Sequence, residues 1–203
     1  MPGKKMSLRS GSLVVFEGLD RSGKSTQMSA LQALDWADPG PEFTHMPSGL
    51  TELTREIYAL TERERITSPL ARQLLHLACH AENLDVLAQA RVRRGLVLDR
   101  WWWSTVAYGW YAGHLAESGV AEAVFFGMID AVWGREPADA VFLFTTPYEH
   151  DDLNRSEVRT GYNHLADQFP SLVIEVPSGD PSSTTEFIIT HMRERGLLFQ
   201  DPS

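Results

Sequence analysis

Apolar residues gather in four short β-rich runs, Leu13–Phe16, Leu96–Leu98, Ala140–Phe144 and Leu172–Val176, with a weaker fifth near Phe43–His45. Runs of this length between polar segments predict buried strands. Elsewhere the spacing turns helical. Leu53, Ile57 and Leu60 share one face, and Leu70, Leu74, Leu77, Ala81, Leu84 and Leu87 mark a much longer helix. Ser68-Pro69 supplies that helix with an N-cap and a first-turn proline, and Gly95 ends it after the basic turn Arg91–Arg94. Further helices are predicted at Ser104–Tyr111, Val120–Trp133, Leu153–Gln168 and Thr184–Arg195. Strands alternating with helices predict an α/β protein, a five-stranded parallel sheet covered on both faces. Pro177–Ser183 reads as an ordinary turn-rich loop, and no internal repeat interrupts the pattern.

Length adds that 203 residues form one domain, taken as 13–198, behind a flexible basic tail at 1–12. A net charge of −9 argues against a nucleic-acid polymer or an anionic membrane as partner, because both attract basic surfaces. The single cysteine, Cys79, has no internal disulfide partner and suits a reducing cytoplasm. The apolar stretch after the tail is too short for a signal peptide or a membrane span. A soluble cytoplasmic protein is expected.

The chemistry begins where the first strand ends. Residues 18–25 read GLDRSGKS, a complete GxxxxGK[ST] phosphate-binding loop; composition alone produces it in roughly one chain in a hundred of this length. Glycines let the backbone curl until successive N–H groups face phosphate oxygens, and the following helix aims its positive end there. The loop residues Gly18, Leu19, Asp20, Arg21, Ser22, Gly23, Lys24, Ser25 and Thr26 are therefore candidate triphosphate contacts. Lys24 would reach the β- and γ-phosphates, and Ser25 would ligate Mg²⁺. Only three lysines occur, Lys4, Lys5 and Lys24, against 15 arginines. A lysine kept at this one place within the fold suggests that a compact ammonium is needed there.

The longer segment FEGLDRSGKSTQ at 16–27 resembles the thymidylate kinase family, whose members begin FEG-x-D-x-x-GKST-Q. Residues 44–49 resemble its TREPGG segment, 74–80 its LLF-x-A-x-R helix, 99–108 its DRY-x-x-S-x-x-AY motif, and 156–162 a late helix. The resemblance implies a P-loop kinase three-layer fold, a homodimer, and transfer of the ATP γ-phosphate to a deoxypyrimidine monophosphate, dTMP above all. It further implies that Asp99, at a strand end, holds Mg²⁺ or its water and that Arg100 grips the acceptor phosphate. Arg21 would act on the transferring phosphoryl group. Asp20 would lie near the sugar 3′-hydroxyl and orient Arg21, while Tyr108 packs beneath the sugar and Thr105 and Trp101 stand beside the acceptor.

The departures are equally specific. Where the family has a Phe that stacks on the pyrimidine and an Arg that bonds it, this chain has His76 and His80. Three readings of that pair stand: base contact, a structural pair, or a metal site for which no third ligand is evident. The TREPGG arginine is His45. Thr145–Arg155 leaves room for only a short connection where the family usually carries a helix and an arginine-bearing lid; two readings of Arg155 and Arg159 stand, a remnant of that lid or a solvated helix face. For Trp102 and Trp103 a packing role is expected. Two alternatives to dTMP phosphorylation remain open: the same chemistry on a different or modified nucleotide, and a catalytically silent nucleotide-binding homologue. The second conflicts with the presence of Lys24, Asp99 and Arg100 together.

Overall fold

The computed structural model describes residues 5–47, 49–134 and 136–200. In chain order the elements are β1 (Met6–Leu8), β2 (Leu13–Gly18), α1 (Lys24–Gln32), β3 (Glu42–His45), α2 (Glu52–Arg63), α3 (Pro69–Arg94) and β4 (Leu96–Asp99). A short α4 (Trp102–Ser104) runs into a π-helix at Thr105–Tyr111, followed by α5 (Glu122–Trp133), β5 (Ala140–Phe144), α6 (Ser156–Gln168), β6 (Val173–Glu175), α7 (Pro181–Glu194) and β7 (Leu198–Gln200). Five strands form one parallel sheet in the order β3-β4-β2-β5-β6. All five expected strands are present. No helix among the described residues is long and apolar enough to cross a membrane.

Strand side chains alternate between the two faces, so each strand feeds two cores. Leu13, Val15, Leu98, Val141 and Leu143 pack with Trp103, Phe125 and Tyr162 beneath α3, α5 and α6. Val14, Phe16, Val97, Phe142 and Phe144 pack with Leu31, Ile188 and Met192 of α1 and α7. The long α3 begins with the Ser68 side chain capping Ala71 N–H and ends at Gly95, whose φ of 76° excuses it from side-chain strain. Trp102 and Trp103 are buried, as expected for packing residues.

One expectation fails at the N-terminus. Met6–Leu8 is not a flexible tail but a strand, paired antiparallel with β7 and with Met6 and Leu8 buried. Its partner lies at the other end of the chain, which local composition cannot reveal. The part of that expectation resting on residues 1–4 lies outside the described residues.

Topology places the chemistry. β2 is central, flanked by β4 on one side and β5 on the other, so the loops after β2, β4 and β5 open at one sheet edge. Parallel α/β sheets bind ligands at such a switch point. The register sets His45 abreast of Asp99 and Gly18 abreast of Phe144.

Helix α6 approaches the π-helix closely enough that a Cβ on Gly161 would stand 2.8 Å from the Tyr111 ring and 2.9 Å from Ala107 Cα. Gly161→Ala should overpack this junction and lower unfolding free energy by about 1–3 kcal/mol. Urea denaturation measures it; an unchanged midpoint would contradict the direct contact.

Candidate active site

The phosphate loop is held in a shape that few side chains tolerate. Gly18 has φ 130°, and a Cβ there would come within 2.0 Å of the Phe144 carbonyl oxygen. Gly23 has φ 96° and begins α1 with no side-chain cap, leaving the helix amides directed into the loop. Arg21 adopts φ 54°, a conformation uncommon outside glycine. Lys24 is buried and its ammonium donates to the carbonyls of Gly18 at 3.1 Å and Leu19 at 2.5 Å. Burial, aided by the nearby Arg100 charge, lowers the Lys24 pKa to about 8.

Asp99 faces this loop from the end of β4. Its Oδ2 lies 3.2 Å from His45 Nδ1, and its buried Oδ1 has no hydrogen-bond partner among the described residues. Burial works against its charge, but the His45 hydrogen bond and the Lys24 and Arg100 charges prevail and lower its pKa.

The next residue, Arg100, also has a positive φ, 71°. Its guanidinium is ion-paired with Asp20, donates to Ser104 Oγ at 2.9 Å and lies 5.3 Å from the Tyr108 ring centroid. Tyr108 donates its hydroxyl to the other Asp20 oxygen at 3.0 Å. Beneath them Glu17, fully buried, accepts from the Trp101 and Ser104 amides at 2.7 and 3.0 Å, from Ser104 Oγ at 2.6 Å and from the Tyr162 hydroxyl at 3.0 Å. Burial raises the Glu17 pKa against these hydrogen bonds.

Three cavities meet the loop. A cavity of about 460 Å³ lies over the loop itself, walled by Lys24, Ser25 and Asp99. A second, also about 460 Å³, runs from Arg100 and Tyr108 to His76, Gln73, Arg72 and Thr105. Asp20, His45 and Arg100 line both. A third of about 440 Å³ lies beside Gly23 and Thr26, walled by Phe144, Pro177, Gly179 and Pro181.

The family model "Thymidylate kinase" matches residues 16–170. A thymidylate kinase of Chlorobium chlorochromatii is 33% identical over 94% of this chain and 98% of that protein. The chain belongs to the thymidylate kinase family. Against the thymidylate kinase of Sulfurimonas denitrificans, 33% identity extends over 53% of the chain and 54% of the relative. The chain thus spans about half the length of several curated relatives it matches. The fold is that of the thymidylate kinase from Ehrlichia chaffeensis, with a TM-score of 0.74 at 22% identity over 91% of this chain and all of that one. The Candida albicans thymidylate kinase aligns with a TM-score of 0.66 at 20% identity, over 96% and 97% of the two chains.

Measured against the family motifs, most candidate residues converge. Arg21, Lys24, Ser25, Asp99 and Arg100 line the loop cavity, and His76, Thr105 and Tyr108 line the second cavity, where the family motifs lead one to expect the acceptor and which is therefore called the acceptor-side cavity. Four placements differ from expectation. His80 does not line the cavity: it is fully buried, with Nε2 2.9 Å from the Thr105 hydroxyl and its ring edge-on to Trp133. Position i+4 shares a helix face with His76, but here that face continues down into the core. Trp101 is likewise buried against Trp102 and Trp133 rather than beside the cavity. Asp20 orients Arg100 and Tyr108, not Arg21; Arg21 pairs instead with Glu149 at 2.5 Å and Asp151 at 3.0 Å, two carboxylates of the 145–155 connection. The two lid arginines part company, since Arg155 lines the acceptor-side cavity while Arg159 donates to the Thr145 carbonyl outside it.

Several site residues escaped the sequence reading. Asn154 exchanges hydrogen bonds with the Asp20 backbone at 2.7 and 2.8 Å, tying the connection to the phosphate loop. Pro177 and Gly179 wall a cavity, although their segment reads as a plain loop. Arg72 and Gln73 precede His76 by four and three residues, so helical spacing from His76 is the signal that could have found them.

The burial of His80 has a measurable consequence. Burial, with His76 nearby, lowers its pKa from 6.5 to about 3. Below pH 6.5 the unfolded chain takes up this proton while the folded protein does not, so stability falls with pH. Between pH 7 and pH 5 the histidine should cost about 2 kcal/mol of unfolding free energy. Urea titrations at the two pH values should show a correspondingly smaller drop in His80→Gln. Equal drops would place His80 in solvent.

Proposed function

We propose that this protein is an ATP-dependent thymidylate kinase, transferring the γ-phosphate of ATP to dTMP. The observation that carries this reading is the pair of cavities joined at Asp20, His45 and Arg100. A triphosphate on the loop and a monophosphate held by Arg100 would meet at that junction. Phosphoryl transfer asks chiefly for alignment and charge neutralisation, and the residues present are suited to both. Lys24 neutralises the donor phosphates, Arg100 holds the acceptor phosphate as a planar fork, and Asp20 keeps that fork in place. The half-buried Tyr108 ring stands beneath the sugar.

Mg²⁺ fits the donor set. Asp99 offers a buried carboxylate oxygen with no hydrogen-bond partner among the described residues, and Ser25 shares its cavity; hard oxygen ligands of this kind suit a small divalent cation that retains waters. When bound, the ion would neutralise charge on the β- and γ-phosphate oxygens. Arg21 would add charge to the transferring group after exchanging its Glu149 and Asp151 partners for phosphate. The cavity beside Gly23 and Pro177 is the natural place for the donor base.

The reading extends to a homodimer in the cytoplasm. Leu53, Leu74, Val86 and Val92 expose apolar surface on α2 and α3, part of which a second copy would cover. A modified acceptor is not favoured, because the relatives named above are thymidylate kinases. A silent homologue is disfavoured by the convergence of Lys24, Asp99 and Arg100 on one cavity.

The direct test is coupled-assay turnover of dTMP with Mg·ATP against a panel of other monophosphates. Lys24→Ala should lose about 3–4 kcal/mol of transition-state stabilisation, several hundredfold or more in rate, with the fold retained. More than a tenth of wild-type rate in that variant would remove Lys24 from the mechanism.

Arg21→Ala should reduce kcat much more than it raises KM for ATP, as for a contact made in the transition state. A raised KM at unchanged kcat would make Arg21 a ground-state binder only.

A further inference from the structure

The acceptor-side cavity contains a polar side chain that the fold leaves unpaired. Gln73, on α3, is only 5% exposed, and its amide nitrogen is buried without a hydrogen-bond partner among the described residues. Its side chain lines the cavity together with His76 and Thr105. The amide oxygen lies against the π-helix at Gly109, where a Cβ would stand 2.0 Å away. A side chain at 109 would therefore displace the amide. Buried amides are almost always paired in folded proteins, and an unpaired one destabilises the free state. Its persistence here, in a cavity wall, marks a group whose partner arrives with the ligand.

The wall beside it carries a second polar group. His80 Nε2 lies 2.9 Å from the Thr105 hydroxyl, and His80 Nδ1 is buried without a partner among the described residues. An orphaned acceptor is tolerated better than an orphaned N–H, so the proton belongs on Nε2, which donates to Thr105. The Thr105 hydroxyl proton is then free to point into the cavity.

We propose that Gln73 is the base-reading residue, its amide pairing with the N3–H and carbonyl edge of the acceptor pyrimidine while Thr105 donates to a base carbonyl. A carboxamide presents one donor and one acceptor side by side, which matches the acceptor and donor of that edge as a bidentate pair. Thr105, fixed as a donor by His80, favours a carbonyl over the amino group that cytosine presents at position 4. This assignment rests on dTMP as acceptor and names the residue that selects its base.

Binding of dTMP and of base-free 2-deoxyribose 5-phosphate is measured calorimetrically for the wild type and Gln73→Leu, with thermal unfolding of both ligand-free proteins and dTMP turnover by the wild type. Gln73→Leu should bind dTMP at least tenfold more weakly and 2-deoxyribose 5-phosphate equally well. Its ligand-free melting temperature should be unchanged or higher, because an unpaired amide has been removed; a structural glutamine would lower it. Undiminished dTMP affinity, or an equal loss for both ligands, overturns the assignment. If Gln73→Leu does not fold, Gln73→Met, with the same reach and no donor, is held to the same outcomes. Failure of the wild type to phosphorylate dTMP would overturn the function itself, and Gln73 as a thymine reader with it. Normal wild-type turnover with an indifferent Gln73 variant overturns this inference alone.

Discussion

A buried carboxylate holds the two halves of the site together. Glu17 is the penultimate residue of the central strand, and among the described residues its side chain accepts hydrogen bonds from the segment after β4 and from α6: the Trp101 and Ser104 amides, Ser104 Oγ and the Tyr162 hydroxyl. A carboxylate removed from water is tolerable only when satisfied in this way. Four donors converge on it. Because Glu17 is one residue before the phosphate loop and Trp101 one residue after Arg100, the donor side and the acceptor side are tied at fixed separation. Ser104 extends the link by accepting from Arg100 at 2.9 Å. Loss of this anchor would free the acceptor arginine while leaving the phosphate loop intact.

Both arginines assigned to phosphate work have left-handed backbones, Arg21 at φ 54° and Arg100 at φ 71°. Such conformations cost of order 1–3 kcal/mol for a side-chain-bearing residue and persist where surrounding contacts dictate them. At Arg100 the dictating contacts are the N–H bond to the Phe16 carbonyl at 2.8 Å and the Asp20 pair. At Arg21 they are the Tyr148 amide on its carbonyl at 2.9 Å and the Glu149 and Asp151 carboxylates on its side chain. Arg100 is enclosed and Arg21 half-exposed, so they are held to different degrees. Arg100 is fixed by Asp20, whereas Arg21 is held by two carboxylates of a short acidic connection.

Charge in the site is arranged locally against the acidic whole. A chain of net charge −9 gathers Lys24, Arg21 and Arg100 at one sheet edge, where helix amides add to their positive field. The acidic groups there differ in their contacts: Asp20 pairs with Arg100, Glu17 accepts from the turn after β4, and one Asp99 oxygen has no partner among the described residues.

The five strands, the long capped α3 and the phosphate loop were legible in the chain because each is dictated locally, by apolar runs, by a cap and a proline, or by glycines at fixed spacing. Family motifs placed Asp99 and Arg100 because a strand end and the residue after it keep their position in any parallel sheet. The pairing of β1 with β7, the turning of His80 and Trp101 into the core, and the exchange of partners between Asp20 and Arg21 depended on residues distant in sequence. A helix face reads the same whether it meets solvent, a cavity or a core, and only the packing of α3 against the π-helix decided that His76 and Gln73 face the cavity while His80 lies behind it. The π-helix itself has no pattern in the sequence that separates it from an α-helix; its wider turn arises where α6 and α3 close on it from two sides. Local sequence determined the elements and the reacting groups, and tertiary contact determined which of those groups a nucleotide can touch.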